Sequence, residues 1–333
     1  MARSRFDPSR RRFLGVTAAG LLGAACGRGS PLGRGRSIVG LFDAPTYDVD
    51  FAALVGRGLD ELGVGVWGRR VLLKPNLVEF RPGAPVNTDP RLVAGAAEAF
   101  LRAGAETVVV AEGPGHRRDT EYLTTATGLL DALRDDRVPF VDLNYDEVRW
   151  VDLATRHTGL GQLALPVEVL GADLVVSIPK LKTHHWAGMT CAMKNLFGVV
   201  PGAIYGWPKN ILHTRGIASA ILDITSTVRP ALSIVDAVTI MEGDGPIMGT
   251  ARHLGAVLLG TDLVATDATC ARLIGLDPMK VEYLRRAHSD RRLGGDVEIR
   301  GEPVARYETA VALLPEFESV RSGPARAVAR PAR

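Results

Sequence analysis

Cysteine is scarce in this chain. Its 333 residues include three, Cys26, Cys191 and Cys270, with no CxxC or CxxCH spacing. A self-contained iron–sulfur cluster, c-type haem attachment and a disulfide framework are therefore not expected. Long apolar runs are also missing. The run from Val16 to Ala25 is about ten residues, well short of the ~20 that cross a bilayer. No later segment is long and charge-free enough, so no transmembrane span is expected in the mature protein. Charge of one sign is not in excess: 40 Lys and Arg stand against 37 Asp and Glu, a net +3. Much of that surplus sits at the ends, in Arg3, Arg5 and Arg10 to Arg12, and in Arg321, Arg326, Arg330 and Arg333 of a Pro/Ala/Arg tail expected to be disordered. The body is near neutral, which gives no support for nucleic-acid binding. There is no G-x-G-x-x-G, no Walker A and no G-x-S-x-G, so the usual dinucleotide, P-loop and nucleophile-elbow signatures do not apply.

What is present begins at the N-terminus. Ser9-Arg10-Arg11-Arg12-Phe13-Leu14, followed by the short apolar run and small residues, is the pattern of a twin-arginine export signal. The predicted organisation is a signal peptide over 1–26, a Gly/Arg/Ser/Pro linker over 27–36, an α/β domain over 37–300 and a C-terminal extension over 301–333. The twin-arginine translocase would be a partner, and a periplasmic or other extracytoplasmic location follows. Leu22-Gly23-Ala24-Ala25-Cys26 resembles a lipobox with its leucine one place early. Two readings stand: Cys26 is lipidated and anchors the protein, or cleavage occurs nearby and Cys26 has no role.

In the body, periodicity predicts strands over 37–42, 71–73, 107–111, 140–143, 174–178, 231–235 and 254–259. Helices are predicted from Phe51 to a stop at Gly63, from the Asp89-Pro90 start to about Gly104, over 217–228 and 262–274, and after Asp277-Pro278. Strands alternating with helices predict an α/β fold: a mostly parallel or mixed sheet with helices on both faces, as one large domain or two intimate lobes. Polar residues gather just after strand ends, at Lys74 and Asn76, at Glu112, over 180–184 and at Asp236. Ligands in open α/β sheets bind there.

The densest segment is 178–198, with Lys180, Lys182, His184, His185 and Lys194 beside Thr183, Thr190 and Asn195. Read as a loop leading into a helix, it suits a small carboxylate or phosphate, with Lys74 and Asn76 joining from another strand end. The alternative is that the lysines are solvated surface residues. His184 and His213 are the candidate proton carriers, with Lys194 and Asp236 as further catalytic candidates. Glu242 and Asp244, in a glycine-rich turn, are candidate ligands for a divalent metal or simply turn residues. Asp267, near the start of an apolar helix, is expected to pair with a lysine of the central segment. Cys270 is expected to pack as a small hydrophobe; Cys191, beside the lysines, either packs likewise, the favoured reading, or is an activated thiol.

These blocks together resemble the bacterial and archaeal family known as domain of unknown function 362. The blocks are Lys74-Pro75-Asn76, Pro179 to His184, Lys194 to Gly198, Asp236 with Met241 to Pro246, and Asp262 to Asp267 with Ile274 to Pro278. The resemblance runs from about Ile38 to Gly295 and implies an α/β fold with a shared site, but no reaction. Some members carry ferredoxin-type modules; this chain lacks their cysteine motifs. Three functions follow as expectations: an exported enzyme acting on a small anionic substrate, an assembly partner of an exported redox complex, or a solute-binding lipoprotein.

Overall fold

Alternation along each strand decides which face a residue serves. In the strand Arg70–Pro75, Leu72 enters one apolar core while Val71 and Leu73 enter the other. The strand Thr107–Glu112 divides the same way, Val109 and Ala111 against Val108 and Val110. Both faces are thus buried, as expected for strands covered by helices on each side. The computed structural model describes residues 37–115, 119–289 and 297–323. The predicted signal peptide and linker, Cys26 and the end of the tail lie outside the described residues.

The strands are β1 (Ser37–Asp43), β2 (Arg70–Pro75), β3 (Thr107–Glu112), β4 (Phe140–Asp142), β5 (Val148–Asp152), β6 (Gln162–Pro166), β7 (Leu174–Ile178), β8 (Lys180–His184), β9 (Gly188–Thr190), β10 (Leu232–Glu242), β11 (Thr250–Gly260) and β12 (Val297–Gly301). The main sheet runs β12-β1-β11-β10-β7-β2-β3-β4, with β8 and β9 branching from β10. Its β10-β7-β2-β3-β4 section is parallel, and β11 runs antiparallel to both β10 and β1. The fold is therefore α/β with a large, mostly parallel mixed sheet flanked by helices.

One face carries α1 (Phe51–Leu62) and α2 (Pro90–Arg102). Asp50 caps α1 through the Ala53 amide, and Gly63 ends it at φ 64. Asp89 caps α2 and Pro90 occupies its first turn, the start the sequence predicts. The other face carries α3 (Ile217–Val228), α4 (Leu263–Leu273) and α5 (Glu282–Ser289).

Three local expectations are corrected. Residues 180–184 form a strand, not a loop. Beyond Ser233, β10 pairs with β8 rather than β7, with Asp236 opposite Lys180 and, after an irregularity, Met241 opposite Lys182. Leu181 fills the core while the lysine stems are buried with their ammonium groups partnered. Asp277 opens a turn, its carboxylate accepting from the Met279 amide, and the helix begins only at Glu282. Arg321 does not belong to a disordered tail: it is buried, pairs with Glu318 and donates to the Val311 carbonyl.

Candidate functional site

Adjacent parallel strands deliver the first two site residues. With Leu73 in register with Val110, Lys74 and Glu112 emerge at neighbouring carboxyl ends and form an ion pair at 2.5 Å, both buried. Lys74 Nζ also donates to the Pro75 carbonyl at 2.8 Å and to Asn195 Oδ1 at 3.0 Å, so all three of its donors are used. Asn195 returns bonds from Nδ2 to the Lys74 carbonyl and Ser177 Oγ. Glu112 accepts from the Gly113 and Leu77 amides.

The backbone at Gly198 passes so close that a Cβ there would lie 1.8 Å from Glu112 Oε1 and 2.6 Å from Lys74 Nζ. Gly198→Ala is therefore expected to split the pair and cost about 3–5 kcal/mol, the usual penalty for breaking a buried ion pair. Urea denaturation checks this; an unchanged midpoint would show that the pair tolerates displacement.

Above this pair lies a cavity of about 180 Å³. Of the residues the sequence singled out, it brings together Lys74, Asn76, Lys182, His184, Lys194, Asn195 and His213. Glu112, His185 and Thr190, also named from the sequence, line it too; Lys209 is the addition, with Trp186 and Phe197 on its wall. Only six of the chain's 40 basic Lys and Arg residues are lysine, and four of the six line this one cavity, against Glu112 as its one lining carboxylate among the described residues. That scarcity was the signal that would have found Lys209.

The charge imbalance has titration consequences. Burial, then repulsion from Lys194 and Lys180, pushes Lys182 well below the ordinary lysine range. Burial, reinforced by repulsion from Lys74, pulls Lys194 down to about 7, although Glu112 resists. Burial brings Lys209 to about 7 as well, although Glu112 resists. Lys182 donates to the Val86 carbonyl at 2.8 Å, and Lys209 to the Gly113 and Phe197 carbonyls at 2.8 Å each. Lys194 has no hydrogen-bond or carboxylate partner among the described residues; its Nζ sits 4.0 Å from the Phe197 ring centroid.

His184 differs from the titrating imidazole the sequence suggested. Burial, with nearby lysines repelling a proton, holds it well below its usual value, hence neutral at pH 7. Its Nδ1 accepts from the Trp186 and Ala187 amides, so the neutral ring carries its hydrogen on Nε2. His213 Nδ1 lies 3.2 Å from the Lys209 carbonyl. Two buried cavity atoms, Asn76 Oδ1 and Thr190 Oγ1, have no hydrogen-bond partner among the described residues. Buried polar atoms are rarely left so, and both line the cavity.

Other expected site residues lie elsewhere. Lys180 and Asp236 form their own buried pair at 2.5 Å with Tyr47 bridging. Asp236 also accepts from the Asp89 and Val238 amides, so both its oxygens are committed to joining β10 to the start of α2, and neither residue lines the cavity. Thr183 donates to the Gly243 carbonyl, pinning the turn. Glu242 pairs with Arg252 and accepts from the Ala312 amide, and Asp244 lies exposed, 3.8 Å from His185. Among the described residues no group of three or more His, Cys, Asp or Glu is placed to hold a metal. Asp267 pairs with no lysine: it accepts from the Ala192 and Met193 amides and Tyr283 Oη. It thereby caps the short helix Ala192–Asn195 that carries Lys194 and Asn195. Cys191 and Cys270 are buried, and burial pushes the Cys191 thiol well up, as packing residues require.

Comparison with known proteins places these residues in a family. The family described as "Domain of unknown function (DUF362)" matches residues 71–272. The thylakoid-associated protein sll1697 of Synechocystis sp. is 32% identical over 230 residues, 68% of each chain. Among solved structures, the lactate racemase apoprotein of Thermoanaerobacterium thermosaccharolyticum aligns at TM-score 0.45 and 13% identity, over 72% of this chain and 57% of that one. A Thermotoga maritima protein aligns at TM-score 0.39 and 12% identity, over 67% of this chain and 57% of that one.

Proposed function

The chain belongs to the DUF362 family, and within it we propose that this member is an enzyme acting on a small anionic substrate, a carboxylate or phosphate. The observation that carries the proposal is the gathering of four of six lysines around one cavity with a single lining carboxylate among the described residues. A solvated surface would show lysines apart and exposed; here they are concentrated and desolvated. An arriving anion supplies the missing negative charge, and in a dry site each such contact is stronger than in water. At about 180 Å³ the cavity is smaller than the ~300–1,000 Å³ that holds drug-sized ligands, so the substrate is small.

Within that reading Lys182 and Lys209 bind the anion, and the Lys74–Glu112–Asn195 cluster is the rigid floor. Asn76 Oδ1 and Thr190 Oγ1 meet the substrate's polar hydrogens or a hydroxyl. Neutral His184 donates from Nε2, and His213 moves a proton.

Calorimetric titration with oxalate and with inorganic phosphate tests binding. At least one is expected to bind, and Lys182→Ala is expected to weaken it at least tenfold, about 1.4 kcal/mol. No binding of either, or a Lys182→Ala protein that binds as well as the parent, would overturn the assignment.

We further propose that residues 1–26 direct export by the twin-arginine route, which the thylakoid association of the Synechocystis relative supports. No described helix is long and apolar enough to cross a membrane. Replacing Arg10, Arg11 and Arg12 by lysine is expected to retain the protein in the cytoplasm. Unchanged fractionation would refute export by this route, and the mass of the mature N-terminus decides whether Cys26 carries lipid.

A further inference from the structure

Resting on the anion-site reading above, we propose that Lys194 is a covalent nucleophile that forms an imine with its substrate, and that the substrate is a small carboxylate bearing an adjacent aldehyde or ketone. The four cavity lysines are not equivalent. Lys74 is saturated by three acceptors, Lys209 is held by two carbonyls and Lys182 by one. Lys194 is the member whose nitrogen is uncommitted among the described residues; it lies over the Phe197 ring, half-buried and on the cavity wall.

Its base is rigid, because Asp267 holds the first amides of the helix that carries it. Its neighbours are cations, and the cavity's one lining carboxylate among the described residues is already bound to Lys74. Desolvation beside other cations is the established way to keep a lysine as a neutral amine at physiological pH. The division of labour follows: Lys182 and Lys209 take the carboxylate, and Lys194 faces the carbonyl carbon.

The step balances without a redox partner. The Lys194 nitrogen lone pair attacks the carbonyl carbon, and the C=O π pair moves to oxygen, which gains a proton. The nitrogen loses a proton, giving a carbinolamine. That hydroxyl takes a second proton and leaves as water while the nitrogen lone pair forms C=N, and the nitrogen then gives up its remaining proton. The sum is amine plus carbonyl giving imine plus water. His184, a neutral donor, polarises the carbonyl, and His213 relays protons. Once protonated, the imine draws electrons from the neighbouring C–H or C–carboxylate bond.

The test treats the full chain with glyoxylate and sodium cyanoborohydride, then locates carboxymethyl-lysine by peptide mass spectrometry. Exposed Lys280 is the internal control. Lys194 is expected to label at least tenfold faster than Lys280, and excess oxalate is expected to suppress it. Its rate is expected to level off above pH about 7. Lys194→Arg is expected to abolish labelling at this position while Lys280 still reacts. If Lys280 labels as fast as Lys194 while oxalate binds, the imine proposal falls and the anion site stands. If oxalate and phosphate also fail to bind, both fall.

Discussion

Replacing Glu112 by alanine is expected to lower the unfolding free energy by about 3–5 kcal/mol, because it leaves a fully buried ammonium without its counter-ion. The carboxylate also accepts from the Gly113 and Leu77 amides, so the substitution orphans two backbone donors as well. Four lysines would then face one another with no lining carboxylate between them. Replacing both members, Lys74→Met with Glu112→Leu, is expected to recover much of the loss, since a buried ion pair and a well-packed apolar pair are often near equal. Urea denaturation of Glu112→Ala and of the double variant measures this directly. A Glu112→Ala cost below about 1 kcal/mol would mean that the pair is solvated.

The sign of the accompanying pH dependence is fixed by the lysines. Lys194 and Lys209 titrate at about 7 in the fold and near ~10.4 when unfolded. Between those values the unfolded chain binds more protons, so stability rises with pH from about 7 to about 10. Below pH 7 the full cost of charging them in the fold is present.

The second large effect concerns ligand. An anion prefers the protonated lysines, whereas the empty fold disfavours them. Above the folded pKa of Lys209, the dissociation constant for oxalate is therefore expected to rise about tenfold per pH unit for each lysine that must take up a proton. Between pH 7.5 and 8.5 a loss of affinity of about tenfold is expected from Lys209 alone, with the protein still folded. Lys209→Met is expected to flatten that slope by about one unit as well as weaken binding. A dissociation constant that does not change over this range would mean that the lysines stay charged in the empty site, and the electrostatic account would be wrong.

Much of this was legible in the residues. The alternation of Val71-Leu72-Leu73 and the Asp89-Pro90 start point directly to the doubly covered sheet, because period-2 burial and helix capping are local properties. The strand-end positions of Lys74, Asn76 and Glu112 point to the edge of that sheet where the cavity lies. What the sequence hid depends on long-range pairing. Residues 180–184 look like a solvated loop because two lysines, a histidine and a preceding proline are poor strand material. Only the departure of β10 from β7 creates the slot they occupy. Asp236 carries the chemistry of a site residue, yet its partner Lys180 and the amides of Asp89 and Val238 consume it. Asp267 looked in need of a lysine, but two backbone amides and a tyrosine satisfy it. Lys209 escaped because it stands alone in sequence, after Trp207-Pro208, with no neighbouring motif; counting lysines, rather than reading spacings, would have exposed it.

The measurement that tests the central claim most directly is calorimetric titration of oxalate at about pH 8 in buffers of different ionisation enthalpy, which counts the protons taken up on binding. The account predicts binding with uptake of about one proton or more, drawn onto lysines that the empty cavity holds uncharged. Binding without proton uptake, or no binding at all, would contradict it.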